Sequence, residues 1–380
     1  MTDDLTISTP WVSAGVLARQ ALAEAQLRTE FPEVGGLRTG VDSIDEKLRP
    51  ILEPGRLIVV AGASGSGKSA FASQLAVAFA HQAPVLWASL EDDGVDAVRR
   101  AIANVGRTSV GALRSGYRTG VVPKAAHDAV EAIDALPLDV IEATGDAISL
   151  AFTARQWVEA HGLRDRPMGG VLIVDQLSHI APSNPTRELE DYLGRQGLPV
   201  PPRLRDGDVK HLEWQVNVLR EVGRRLNLLV VVLHQLNGVR GDDGRPSMAS
   251  VRGSQGIVHK ADALLVPWRP THVPNPFAGP GEPKMVTAPE SAAELLCLKG
   301  RSIASGWTLP LAWDGVHQRL ADATEDIEKP VPYGVPQAPT DSQLEGAKRL
   351  ADLRAGFMAR RAESIEAGTS PTMGELPASA

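Results

Sequence analysis

Residues Leu57 to Phe71 read LIVVAGASGSGKSAF. An apolar, β-branched run enters a glycine-rich turn, GASGSGKS at Gly62 to Ser69, and an apolar helical pattern follows. Strand, glycine-rich loop and helix N-terminus together form the context in which G-x-x-x-x-G-K-S wraps a phosphate. The glycines let backbone N–H groups turn inward, and the helix start favours the anion. Gly62, Ala63, Ser64, Gly65, Ser66, Gly67, Lys68, Ser69 and Ala70 are therefore candidate nucleotide-binding residues. Lys68 would reach the β- and γ-phosphates of ATP, and Ser69 would hold Mg²⁺.

On either side the chain alternates strand-like runs with amphipathic segments. The runs are LIVVAG, VLWASL, LDVIEA, VLIVDQ, LLVVVLHQ, ADALLVPW and ELLCLK. This alternation predicts an α/β fold, a P-loop NTPase with a mostly parallel sheet flanked by helices. Two interruptions break it. Pro182 to His211 is rich in proline, glycine and charge, and Thr271 to Ser291 carries prolines and glycines that predict an irregular surface excursion.

The flanks differ from this middle. Residues 11–30 are alanine-rich, with Val12, Val16, Ala23 and Leu27 on one side of a predicted helix, and Pro32 with Gly35 and Gly36 ends it. After Leu320 comes the proline-rich EKPVPYGVPQAPT, then a segment where Leu350, Leu353 and Phe357 mark a weak helical face, then a polar tail. The expected organisation is a helical arm and linker at 1–36, the ATPase body at 37–320, and a linker with a partly helical, poorly ordered tail at 321–380. The net charge of −7 comes from the flanks, and the middle is neutral, so bulk charge neither demands nor excludes nucleic acid. One cysteine in 380 residues excludes an internal disulfide framework and points to a reducing, cytoplasmic compartment. No apolar run approaches the length of a membrane span, and the acidic start is unlike a signal peptide.

Four strand ends carry further candidates. Glu91 follows VLWASL, where a carboxylate beside a P-loop could polarise the attacking water; taken alone it reads equally well as a helix cap. Asp175 ends VLIVD and suits the Mg²⁺ shell. Gln235 ends LLVVVLHQ and could sense the γ-phosphate, whereas the neighbouring His234 carries no assigned chemistry. In LLCLKGRSIASG, Leu295 to Gly306, Lys299 and Arg301 leave a strand on one side and need an anion to face.

Taken in order, these motifs resemble the RecA-like motor domain of the DnaB-type hexameric replicative helicases. The similar segments are LRTGVDSID, SLED, ALRSGYRTG, VLIVDQLSH, VVLHQLN, RPSMASVRGSQGIVHKADALLV and LKGRSIASG, colinear over about three quarters of the chain. The resemblance implies an ATP-dependent, ring-forming helicase or translocase on single-stranded DNA that hydrolyses ATP at the subunit interfaces of a homo-oligomer, a hexamer. It implies that Lys68, Ser69, Glu91, Asp175 and Gln235 act within one subunit, while Lys299 and Arg301 reach the γ-phosphate held by the next. Loops after Asp175 and Gln235 would line the channel, with Arg240 and Arg252 as the DNA contacts. Gln176 and Gly253 depart from the family's tyrosine and glutamate. Only about 36 residues precede the motor, so the family's primase-interacting domain, and primase as a partner, are not expected. Two alternatives stay open: a RecA-, RadA- or KaiC-like ATPase without unwinding, or an ATP-operated loader or switch for a partner protein.

Overall fold

The computed structural model describes residues 14–31, 36–142, 145–164, 166, 169–183, 186–195, 199–203, 208–236, 245–251, 255–274, 285–324 and 340–366. Helices in chain order are α1 (Ala14–Glu30), α2 (Asp42–Leu48), α3 (Lys68–Ala80), α4 (Gly94–Val105), α5 (Val110–Ser115), α6 (Lys124–Asp134), α7 (Ala147–His161), α8 (Arg187–Arg195), α9 (Asp208–Arg225), α10 (Gln255–Lys260) and α11 (Asp341–Glu366). Strands are β1 (Leu57–Gly62), β2 (Val85–Ser89), β3 (Leu138–Ile141), β4 (Gly170–Asp175), β5 (Leu228–Gln235), β6 (Ala263–Trp268), β7 (His272–Pro274), β8 (Met285–Thr287), β9 (Ala292–Gly300), β10 (Thr308–Asp314) and β11 (Arg319–Asp322). The chain divides into two compact units, 36–164 with 168–338, and 1–35 with 165–167 and 339–380.

The larger unit is built on a nine-stranded sheet of order β11-β10-β9-β6-β1-β5-β4-β2-β3 among the described residues. The six strands from β6 to β3 are parallel. Each apolar run is continuous because it is covered on both faces, and successive side chains divide between two cores. Leu57, Val59 and Ala61 face the side of α7, α9 and α10; Ile58 and Val60 face α2 and α3. The lead-in LRTGVDSID is held by Thr39, whose N and Oγ1 donate to Asp45 Oδ1 at 2.6 and 2.7 Å around Gly40 at φ +79°.

All seven predicted runs are strands, but ELLCLK departs from the parallel set. It forms β9, antiparallel to β6, and β10 and β11 continue the antiparallel edge. Returning to the parallel direction requires a crossover of a dozen or more residues, usually a helix, and the stretch from β6 to β9 has no helical period. That excursion contains a short hairpin, β7 paired with β8, where Thr271 to Ser291 was expected to be irregular. The Pro182–His211 interruption includes α8.

In the smaller unit α1 and α11 pair antiparallel. Arg354 donates to Glu24 at 3.0 and 3.3 Å, and Arg349 to Glu30 at 3.1 Å. Val16, Ala23 and Leu27 lie on the half-covered face of α1, and Ala347 and Leu350 are buried on α11. The proline-rich segment 328–340 lies, except for residue 340, outside the described residues, as does the tail beyond 366. No helix among the described residues is long and apolar enough to cross a membrane.

Candidate nucleotide site

A parallel sheet gathers the C-terminal ends of its strands at one edge, where ligands bind in open α/β folds. Register aligns them here: Gly62 of β1 is level with Gln235 of β5, and Ser89 of β2 with Asp175 of β4. The loop after β1 folds back at Gly65 and Gly67, with φ of +73° and +94°, and delivers Lys68 as the first residue of α3. Two glycines are required by space as well. A Cβ on Gly62 would meet Ser66 Oγ at 2.4 Å, and one on Gly67 would lie 3.1 Å from the Trp313 ring.

Lys68 is buried, and its ammonium donates to Ala63 O at 2.9 Å across the loop. Burial lowers its pKa, opposed by the charges of Glu91 and Asp175. Asp175 is 2 % exposed, and burial, aided by Glu91, pushes its carboxyl up to about 6 despite a hydrogen bond from Ser69. Its Oδ1 has no hydrogen-bond partner. A buried carboxylate oxygen without a donor, beside a serine hydroxyl at a phosphate loop, is a donor set that fits Mg²⁺. Among the described residues no group of three or more His, Cys, Asp or Glu could hold a metal by itself, so phosphate oxygens and water would complete the shell.

Glu91 lies two residues beyond β2, exposed, with its backbone N bonded to Asp175 O at 3.1 Å. It does not cap α4; Asp93 does, accepting from Asp96 N at 2.6 Å. Gln235 is exposed at the end of β5, and His234 beside it is buried with its pKa lowered to about 4 by burial and by Lys68. Lys68, Ser69, Glu91 and Gln235 line a cleft of about 1170 Å³.

The cleft also contains residues that sequence reading did not single out. Arg100 of α4 lines it and pairs with Asp92 at 2.7 Å. Trp313 of β10 forms a wall behind Gly67, with Arg269 stacked over its ring at 5.4 Å. Asp314 at the end of β10 and His317 in the turn that follows also line it, bonded at 2.7 Å. Asp314-Gly315 after the apolar TLPLAW is a hairpin signal that points to this wall. Arg100 has no comparable local signal.

Lys299 and Arg301 are not in this cleft. They lie at the opposite edge of the sheet: Lys299 is level with Leu264 and Gly300 with Ala263, the start of β6, while Arg301 N bonds Asp262 O. That edge is level with the start of β1, about 17 Å from Gly62 along the strand direction. Arg240 and Arg252 lie outside the described residues, as does Arg205. Of the other basic residues in the segments after Asp175 and Gln235, Arg187 and Lys210 are exposed, and Arg245 is tied to Glu294 at 2.8 Å and stacks over Trp268.

The DnaB-like helicase C terminal domain family matches residues 36–322. No curated protein matches the chain. Among solved structures, a DnaB-like replicative helicase described with its interactions with primase aligns at TM-score 0.60 and 18% identity, over 76% of this chain and 64% of that one. The ATPase domain of G40P aligns at TM-score 0.62 and 17% identity, over 82% of this chain and 99% of that one. This chain thus spans less than two thirds of the helicase's length and nearly all of the isolated ATPase domain.

Proposed function

This chain belongs to the DnaB-like helicase C terminal domain family, and from that we propose that it is an ATP-hydrolysing, ring-forming translocase on single-stranded DNA that unwinds duplex, working as a hexamer. The observation that carries this reading is the separation of charges across the sheet. Lys68, Ser69, Glu91, Asp175 and Gln235 converge at one edge, while Arg301 stands at the other. Arg301 is too far from its own phosphate loop to serve it, but a second copy could present it to the cleft.

In this reading the N–H groups of Gly65 to Ser69 cradle the β- and γ-phosphates, and Lys68 exchanges Ala63 O for a phosphate oxygen. Ser69 and Asp175 would hold Mg²⁺, which supplies charge neutralisation of the phosphates when bound. Glu91 orients and polarises the attacking water, Arg100 adds positive charge beside the transferred phosphoryl group, and Gln235 reports its presence to the segment after β5. Arg301 of the neighbouring copy neutralises charge that develops in the transition state.

Mixing two inactive proteins tests this. Arg301→Ala should bind ATP yet turn over about 1000-fold more slowly, and Lys68→Ala should not hydrolyse. Each assembled alone should be inactive; a mixture should recover turnover where an Arg301-bearing subunit abuts an intact phosphate loop. Light scattering should report a hexamer, and single-stranded DNA should stimulate hydrolysis. A fully active monomer would defeat the ring. Hydrolysis indifferent to DNA, with no fork unwinding, would favour an ATP-operated switch.

A further inference from the structure

Asp314, the last residue of β10, and His317, in the turn that follows, form a pair that the phosphate chemistry leaves unused. Asp314 is 7 % exposed and accepts twice from one residue. His317 N donates to its Oδ1 at 3.1 Å, and His317 Nδ1 meets its Oδ2 at 2.7 Å. Buried Arg319 stands 3.6 Å from the same Oδ2. An ionised carboxylate only accepts, so Nδ1 carries the proton and Nε2 of the neutral ring is a bare acceptor. His317 lines the nucleotide cleft, and its Nε2 has no hydrogen-bond partner among the described residues.

The turn is fastened in place. Val110 N donates to Val316 O at 3.2 Å, and Gln318 Nε2 to Gly315 O at 2.7 Å. Gln318 takes φ +54°, a left-handed conformation uncommon for a residue other than glycine. Such a conformation persists where its surroundings over-determine it, and it clusters at ligand sites. The imidazole is therefore set in orientation and tautomer before a ligand arrives.

An acceptor repels phosphate oxygens and must meet a donor. An adenine nucleotide offers donors at its ribose hydroxyls and at the 6-amino group of its base. Trp313 gives the cleft an aromatic wall, with Arg269 over its ring at 5.4 Å. Stacking on such a wall accepts every base, since every base has a π face, so choice among bases needs an edge contact. Asp314 and Gln318 of the same turn are already engaged, by His317 and by Gly315 O. That leaves Nε2 of His317.

We propose that His317, oriented by Asp314, is a specificity-determining residue of the nucleotide site. Its Nε2 accepts a hydrogen bond from the 6-amino group of adenine and disfavours a 6-oxo purine, whose O6 would oppose it lone pair to lone pair. This rests on the reading of the cleft as an ATP site.

Titration of the full chain with nucleotides at about pH 8, without Mg²⁺ so that nothing is hydrolysed, tests the proposal. The parent should bind ATP about 10-fold more tightly than ITP, which carries an oxo group at position 6. His317→Phe keeps a planar ring and removes both nitrogens. It should weaken ATP about 10-fold and leave ITP within about 2-fold. Equal weakening of the two would show His317 only shaping the turn and would overturn the proposal. So would a variant that keeps the preference over ITP and loses one over 2′,3′-dideoxy-ATP, which would assign Nε2 to the ribose. Should His317→Phe fail to fold, equal affinity of the parent for ATP and ITP overturns the proposal by itself. Steady-state hydrolysis separates this from the reading beneath it. A parent that prefers ATP in titration but hydrolyses neither nucleotide would remove the ATPase reading and keep the base contact. An active ATPase with equal KM for ATP and ITP would do the reverse.

Discussion

Asp175 is buried without a partner for Oδ1, so the nucleotide-free protein carries an electrostatic cost that Asp175→Asn should expose. Raising the carboxyl from 3.8 to about 6 means that its contribution to stability is complete below pH 3.8 and is lost as pH rises to 6. The full loss is about 3 kcal/mol. His234 acts in the opposite sense. Its pKa falls from 6.5 to about 4, so its contribution is complete above pH 6.5 and is lost as pH falls toward 4, again about 3 kcal/mol. The two nearly cancel in the native sequence. Urea denaturation between pH 4.5 and 7.5, followed by tryptophan emission, separates them. The stability of Asp175→Asn relative to the parent should rise by about 2 kcal/mol across that range, and that of His234→Gln should fall by about as much. Costs that do not depend on pH, such as an orphaned amide, cancel in the slope. Curves for Asp175→Asn that run parallel to the parent would refute the burial argument. Under the proposed function the same variant should lose ATP turnover, because the group that costs stability would be the one offered to Mg²⁺.

Gly67→Ala forces an L side chain into a left-handed backbone, at about 1–2 kcal/mol, and against the Trp313 ring. Titration with ATP should show affinity reduced by more than about 10-fold. Arg100→Ala should lower kcat about 100-fold, while its ion pair with Asp92 contributes less than about 1 kcal/mol to the urea midpoint. Cys297 is buried, and burial pushes its thiol up to about 11, so an aromatic disulfide reagent should modify it only after denaturation. Rapid reaction of the native protein would contradict that burial.

The parallel strands were legible because each is a short apolar run bounded by breakers, and burial on both faces demands such runs. The phosphate loop was legible because glycine spacing and a following lysine leave few other uses. β10 and β11 were not read as strands, since TLPLAWD carries a proline and its pattern is short. Pro310 is accommodated in β10 beside Glu294 of β9, just before Leu311 where pairing with β11 begins, a position provided by tertiary pairing and not by local preference. Arg100 and Trp313 escaped for a related reason. Each reaches the cleft through tertiary packing, Arg100 on α4 and Trp313 on the β10–β11 hairpin; Asp314-Gly315 is the one local sign of that wall, and Arg100 has none.

The position of Lys299 and Arg301 was nearer to the surface of the sequence than it first appears. A connection without helical period between two adjacent strands, such as Thr271 to Ser291, lacks the helix that usually returns a chain in the parallel direction, and β9 runs against β6. The last residues of an antiparallel strand then lie beside the first residues of its neighbours. Strand polarity alone therefore sends Lys299 and Arg301 to the edge opposite Gly62, and no side-chain rearrangement spans the length of β1. If these cations meet a nucleotide, it is another copy's, and the dependence of turnover on assembly follows from the direction of one strand.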